Sequence, residues 1–113
     1  MTSTNSLDAH TIALPAGDLA SRRSAAKLRT QILSIWDQSS RITISCSGVD
    51  SIAASFADEL FGMLAHEKGY QTTVDKIKLS NATPLVLKSI ASAIRQRCRE
   101  FNAHRYDKTG NPI

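Results

Sequence analysis

Apolar residues recur at intervals of three or four positions in three stretches of the chain, which is the spacing of one face of an α-helix. This pattern predicts amphipathic helices over about residues 21–38, 55–67 and 84–101. The apolar positions are Ala25, Leu28, Ile32, Ile35 and Trp36 in the first stretch, Phe56, Leu60, Met63 and Leu64 in the second, and Leu87, Ile90, Ile94, Cys98 and Phe101 in the third.

Residues at the ends of these stretches support the helix boundaries. Asp18 and Ser21 are both suitable N-caps for the first helix. Thr83 followed by Pro84 is typical of a helix start, with threonine as the cap and proline at the first helical position. Gly69 suits a left-handed C-cap after the second helix.

Between the helices, alternation of apolar and polar residues predicts short strands. The clearest one covers residues 41–47, Arg-Ile-Thr-Ile-Ser-Cys-Ser, and shorter ones are expected over residues 76–80 and 10–14. Residues 48–54 are predicted to form a loop, anchored to the core by Val49 and Ile52.

The predicted order of strand, helix, strand, helix, strand, helix is typical of α/β proteins, in which helices cover a sheet with parallel pairings. We therefore expect an α/β fold with one small sheet of about four strands, packed with about three helices. Residues 10–102 would form this domain, with a flexible leader over residues 1–9 and a flexible tail over residues 103–113. The expected core includes Ile42, Ile44, Leu60, Leu64, Ile90 and Ile94.

The composition agrees with one domain and excludes several classes of protein. The chain has 113 residues, of which 42% are apolar, enough for one compact core. It contains no apolar run of the roughly 18 residues needed to span a bilayer and no signal-peptide pattern, so a cytoplasmic protein is expected. Cys46 and Cys98 are expected to be separate buried thiols rather than a disulfide. No paired Cys/His spacing indicates a metal site, and no cofactor is expected.

Residues 41–64 carry the most specific signal in the chain. Residues 48–61 read Gly-Val-Asp-Ser-Ile-Ala-Ala-Ser-Phe-Ala-Asp-Glu-Leu-Phe, and the most specific part is Ser-Phe-Ala-Asp-Glu-Leu at residues 55–60. This segment resembles the STAS-like family, a bacterial group of small domains related to the STAS fold of anti-sigma-factor antagonists. The resemblance covers about residues 10–98 and implies a small STAS-like α/β sheet.

The resemblance also implies a regulatory function through protein binding. In anti-sigma-factor antagonists the corresponding loop reads Asp-Ser-Ser-Gly, and its second serine is phosphorylated by a kinase whose ATP-binding domain resembles that of histidine kinases. That serine is similar in position to Ser55, whereas Ala53, Ala54 and Phe56 replace the other three residues. The implied partner is a histidine-kinase-like ATPase, and Ser55 is the candidate phospho-acceptor.

Two interpretations of this segment stay open. Ser55 is either phosphorylated or only an N-cap, in which case Asp58 would complete a capping-box-like arrangement. Asp58 and Glu59 point about 100° apart on a helix and cannot converge on one substrate atom, so they either meet a basic partner surface or are simply solvated. The candidate partner interface consists of Asp50, Ser51, Ile52, Phe56, Asp58 and Glu59.

Nucleic-acid binding is the alternative function. The formal net charge is +4, and the chain from residue 95 onward holds five basic and two acidic residues. The candidate contacts are Arg95, Arg99, Arg105 and Lys108. A solvated helix end, in which arginines complement the negative end of the helix dipole, explains the same charges.

Enzymatic activity is not expected, because no nucleophile with a base, metal constellation or phosphate-binding loop is recognisable. The histidines, His10, His66 and His104, have no spacing that indicates a shared site. A Cys46 and histidine pair stays open as a nucleophilic site, but Cys46 falls at an inward strand position where a buried structural thiol is expected.

Overall fold

The computed structural model describes the backbone of residues 8–105 and the side chains of residues 8–98. Most of the predicted leader and tail therefore lies outside the described residues. The strands in the described range are β1 (Asp8–Ala13), β2 (Gly17–Leu19), β3 (Ser39–Ser45), β4 (Val49–Ile52) and β5 (Ile77–Ser80). The helices are α1 (Arg22–Ser34), α2 (residues 54–68), α3 (Tyr70–Lys76) and α4 (Pro84–Arg105).

The strands form two small sheets in which every described pairing is parallel. β3 lies between β1 and β5 in a three-stranded sheet, where Ile44 is paired with Ile12 on one side and Leu79 on the other. β2 and β4 form a separate two-stranded sheet, in which Leu19 is paired with Ile52. The α/β class with parallel pairings is confirmed, but two sheets of three and two strands replace the single predicted sheet.

The segments that lead into β2 and β4 approach each other closely between the two sheets. The Gly17 N–H donates to the Gly48 carbonyl at 2.8 Å, and Gly17 has a φ of +93° that favours glycine. A Cβ atom on Gly48 would lie 2.9 Å from the Cβ of Ala16, so the two segments can approach this closely only because residue 48 has no side chain.

β4 occupies residues that were predicted to form a loop. Val49 and Ile52 are buried, as expected for anchors, but Asp50 and Ser51 between them are not. Two inward positions three residues apart do not produce the period-two alternation that identifies a strand in sequence.

The starts of α1 and α4 agree with the predicted caps, Ser21 and Thr83. The Ser21 hydroxyl accepts from the Ser24 N–H, and the Thr83 hydroxyl accepts from the Val86 N–H, each at 3.2 Å. α1 ends at Ser34, earlier than the predicted residue 38, and α4 continues to Arg105. α3 was not predicted, because Thr73 is its only buried residue and it therefore has no apolar stripe.

The core lies between the sheets and the helices and contains the predicted residues. Ile42, Ile44, Leu60, Leu64 and Ile90 are buried, and Ile94 is half-buried against them. The prediction of Leu87 on the buried face of α4 is wrong, because its side chain is 43% exposed and Val86 is buried instead. The inward face of α4 therefore includes Val86, Ile90 and Ile94 and leaves Leu87 at its exposed edge.

The second predicted helix is not a uniform α-helix. α-Helical turns, Ala54–Ala57 and Met63–Lys68, flank a π-helical turn, Asp58–Gly62. The Met63 N–H donates to the Asp58 carbonyl five residues earlier, which is the π-type pattern. Single π-turns in α-helices are frequently found at functional sites. This one contains both adjacent carboxylates, Asp58 and Glu59.

Candidate partner-binding site

Ser55 lies in the first turn of α2, directly after β4. The cap position of this helix belongs to Ala53, whose N–H donates to the Leu19 carbonyl at 2.7 Å and whose side chain has no capping atom. The Ser55 hydroxyl donates to the Ala20 carbonyl at 3.3 Å. The interpretation of Ser55 as an N-cap is therefore wrong, because pairing with β2 holds residue 53 extended and starts the helix at residue 54.

Asp58 binds a residue of α4 instead of completing a capping box. Its carboxylate accepts hydrogen bonds from Arg97 Nε at 2.7 Å and from Arg97 Nη2 at 2.8 Å, a bidentate arrangement. These hydrogen bonds hold the pKa of the Asp58 carboxyl below its usual range, and Arg22 adds to the effect. Asp58 is therefore ionised and its charge is compensated within the chain.

Glu59 is held by α1. Its carboxylate accepts from Arg29 Nη1 at 2.6 Å, and the same nitrogen donates to the Glu59 backbone carbonyl. Hydrogen bonding from Arg29 lowers the pKa of the Glu59 carboxyl. Arg22 Nη1 lies 3.2 Å from Glu59 and 3.4 Å from Asp58, so one exposed arginine bridges both carboxylates.

The predicted interface residues do not share one surface. Ile52 and Phe56 are 7% and 1% exposed and support the site from beneath, so neither side chain can form a partner-facing surface. Asp50 is exposed, and the hydroxyl of the half-buried Ser51 donates to the Asp18 carboxylate at 2.7 Å. Ser55, Asp58 and Glu59 are half-buried.

A groove of about 650 Å³ lies between the first turn of α2 and α4. It brings Arg22, Ser55 and Asp58 together with Leu85, Lys88 and Arg97. Lys88 is exposed and has no hydrogen bond or ion pair among the described residues, whereas Arg97 is bound to Asp58. The groove therefore presents serine hydroxyls, the apolar side chain of Leu85 and cations beside the Asp58–Arg97 pair.

Sequence reasoning missed the contribution of α4 and the role of Gly62. A Cβ on Gly62 would lie 2.8 Å from Asp58 Oδ1 and 3.0 Å from Arg97 Cγ, so the absence of a side chain makes room for this ion pair. A glycine inside a helix lowers helix stability by about 1 kcal/mol relative to alanine. A glycine at position 62 of a predicted helix was therefore the available signal that another group packs closely there. No local pattern pointed to Leu85 or Lys88, since exposed positions on a helix are ordinary.

The candidate nucleic-acid contacts are only partly described. Arg95 is exposed on α4. Arg99 and Arg105 belong to the same helix, but their side chains lie outside the described residues, as does Lys108 altogether. Arg97, which helical spacing places away from Arg95 and Arg99, faces α2 and binds Asp58.

The thiols of the two cysteines are at least partly buried, and His10 of β1 is hydrogen-bonded to a neighbouring strand. Cys46 is buried as predicted, Cys98 is half-buried, both are free thiols, and burial raises the pKa of each. His10 Nδ1 lies 2.7 Å from the Ser39 hydroxyl.

None of the helices within residues 8–105 has the length and apolar character to cross a membrane.

The parallel strands in two small sheets and the helices packed on them define a small α/β domain. The family model described as "STAS-like domain of unknown function (DUF4325)" matches residues 24–87, from α1 to the first turn of α4 and more than half of the chain. The chain belongs to this family. Comparisons with curated proteins and with solved structures found no match.

Proposed function

We propose that this domain is a regulatory module that binds a partner protein at the groove between α2 and α4, and that phosphorylation of Ser55 controls the binding. The observation that carries the proposal is the position of the Ser55 hydroxyl on the wall of this groove, in the first turn of a helix. The resemblance of residues 48–61 to the segment phosphorylated in anti-sigma-factor antagonists supports the same residue. A histidine-kinase-like ATPase is the proposed partner.

The surroundings of Ser55 give phosphorylation a physical effect. A phosphate adds about −1.5 to −2 charges, which the positive end of the helix dipole tolerates. It would replace the hydrogen bond from Ser55 to the Ala20 carbonyl and place acceptor oxygens in a groove that Arg22 also lines. Arg22 is 55% exposed, and the two carboxylates that it contacts each have a closer arginine, so it can turn toward the phosphate without leaving either carboxylate unpaired. Phosphorylation would thereby change both the charge and the shape of the groove.

The test uses purified histidine-kinase-like ATPases encoded in the same genome as this chain. Each is incubated with the domain and ATP, the modified residue is located by mass spectrometry, and Kd is measured for wild type, Ser55→Ala and Ser55→Asp. We expect phosphate on Ser55, wild-type affinity for Ser55→Ala and a several-fold weaker Kd for Ser55→Asp.

Ser24→Asp is the matched control. Ser24 is an exposed serine in the first turn of α1 that does not line the groove, so the same charge change there should leave Kd unchanged. Equal affinity for wild type, Ser55→Ala and Ser55→Asp, with no phosphate on Ser55, would refute the proposed control. Salt-dependent binding of short duplexes in a gel shift, abolished by Arg95→Glu, would instead favour the nucleic-acid alternative.

A further inference from the structure

We infer that the partner segment that occupies the groove between α2 and α4 is acidic and carries an apolar side chain that contacts Leu85. The inference rests on the proposed function and adds the chemistry of the partner. It is the opposite of one of the two interpretations that the sequence left open, in which Asp58 and Glu59 would meet a basic partner surface. The difference follows from which charges the fold leaves accessible.

Both carboxylates are neutralised by arginines of the same chain. Asp58 is 21% exposed in its side chain and receives two hydrogen bonds from Arg97. Glu59 is held by Arg29 and does not line the groove. A basic partner would have to displace these bidentate or part-buried contacts, which costs more than an exposed ion pair returns.

The cations at the groove, unlike the carboxylates, are not fully neutralised by contacts among the described residues. Lys88 lines it, is exposed and has no acidic partner among the described residues. Arg22 reaches Asp58 and Glu59 only at 3.4 and 3.2 Å, and each of those carboxylates has a closer arginine. With Asp58 and Arg97 compensating each other, Arg22 and Lys88 are the charges left at the groove to attract a partner. Complementarity at an interface therefore requires carboxylates on the other side.

The apolar part of the inference comes from Leu85. Its side chain is 64% exposed, the highest value among the exposed large hydrophobic side chains of the described residues. It lies one turn before Lys88 on α4, and both line the same groove. The volume of about 650 Å³ falls in the range of sites that enclose small ligands, which is enough for a few side chains of a docked segment.

An acidic occupant also explains how phosphorylation would act. A phosphate on Ser55 and the carboxylates of the partner would compete for the same cations, Arg22 and Lys88. Phosphorylation would then displace the partner by occupying its charge sites from within the chain, in addition to direct repulsion.

The test is selection of a random-peptide phage library on the immobilised full chain, followed by Kd measurements on synthetic peptides. We expect enriched peptides to combine Asp or Glu with an apolar residue. Lys88→Glu should weaken them about tenfold or more, equivalent to about 1.4 kcal/mol. Lys27→Glu is the matched control, since Lys27 is an exposed lysine on α1 that does not line the groove. The peptides should bind this variant with the same Kd as wild type.

A charge-reversed peptide, with Lys in place of Asp and Glu, should bind Lys88→Glu better than wild type. Enrichment of basic or neutral peptides, or equal Kd values for wild type and Lys88→Glu, would overturn the inference. Loss of binding in Ser55→Asp with unchanged binding in Lys88→Glu would refute the acidic occupant and leave the Ser55 switch standing. Loss of binding in Lys88→Glu with unchanged binding in Ser55→Asp would refute the Ser55 switch and leave the acidic occupant standing.

Discussion

Arg97 of α4 binds Asp58 of the π-helical turn through two hydrogen bonds, from Nε to Oδ1 at 2.7 Å and from Nη2 to Oδ2 at 2.8 Å. This pair connects the two helices that form the groove. It also determines the chemistry of the groove, because it compensates the carboxylate nearest to Ser55 in sequence and leaves Lys88 as a cation without an acidic partner among the described residues.

Asp58→Asn should destabilise the fold by about 1 to 3 kcal/mol, since it removes charged hydrogen bonds to Arg97 and leaves the arginine without its carboxylate. The free energy of unfolding is measured by urea denaturation. Asp50→Asn is the control, because Asp50 is exposed and should change stability by less than about 0.5 kcal/mol. Equal stability of the two variants would contradict the structural importance of the pair.

Stability should fall in acid because of Asp58 and Glu59. Both carboxyl groups have a pKa below the usual value, chiefly through hydrogen bonds from Arg97 and Arg29 respectively. A carboxyl group whose pKa is lower in the folded than in the unfolded state stabilises the fold at pH values above its unfolded pKa of about 4. This contribution is lost as the pH falls through the folded pKa. Urea denaturation from pH 7 to pH 3 should show this decrease, and it should be smaller in Asp58→Asn. A parallel decrease in both proteins would contradict it.

Gly62→Ala should destabilise the protein even though alanine favours a helix by about 1 kcal/mol. The added Cβ would meet Asp58 Oδ1 at 2.8 Å, Arg97 Cγ at 3.0 Å and the Ala93 carbonyl oxygen at 3.2 Å. Thermal unfolding should give a lower Tm than wild type. A higher Tm would mean that the ion pair and α4 move aside at no cost.

Ser21→Ala and Ser55→Ala should differ in stability. Ser21 caps α1 through the Ser24 N–H, so its loss should cost about 1 kcal/mol. Ser55 is not a cap, and its single hydrogen bond to the Ala20 carbonyl is offset by the better helix propensity of alanine, so the change should stay within about 0.5 kcal/mol. Chemical denaturation of both variants distinguishes the two roles, and an equal loss would restore the capping role of Ser55.

Leu60→Ala and Leu87→Ala compare two leucines that helical spacing assigns to buried faces. Leu60 is fully buried, so its truncation should cost about 2 to 5 kcal/mol. Leu87 is 43% exposed, so its truncation should cost clearly less. The comparison is made by urea denaturation under identical conditions. A larger loss for Leu87 would contradict the orientation of α4.

Local patterns in the sequence were sufficient for the class of fold and most of its elements. The alternation of Ile42 and Ile44 identified β3, the spacing of Leu60 and Leu64 identified α2, and Thr83 identified the start of α4. Each of these signals depends on neighbours within four residues along the chain. Residues 48–61 likewise pointed to the STAS-like family and to Ser55 without any structure.

The tertiary structure alone decided the division into two sheets, the burial of Val86 instead of Leu87 on α4, and the charge of the candidate site. Asp58 and Arg97 are 39 residues apart, and Glu59 and Arg29 are 30 apart. A sequence read locally therefore gives two unpaired carboxylates, and their neutralisation becomes visible only when α1, α2 and α4 are packed together. The sign of the charge that an interface presents to a partner depends on which charged groups remain accessible after folding. Accessibility is a property of the packed chain, not of any local segment.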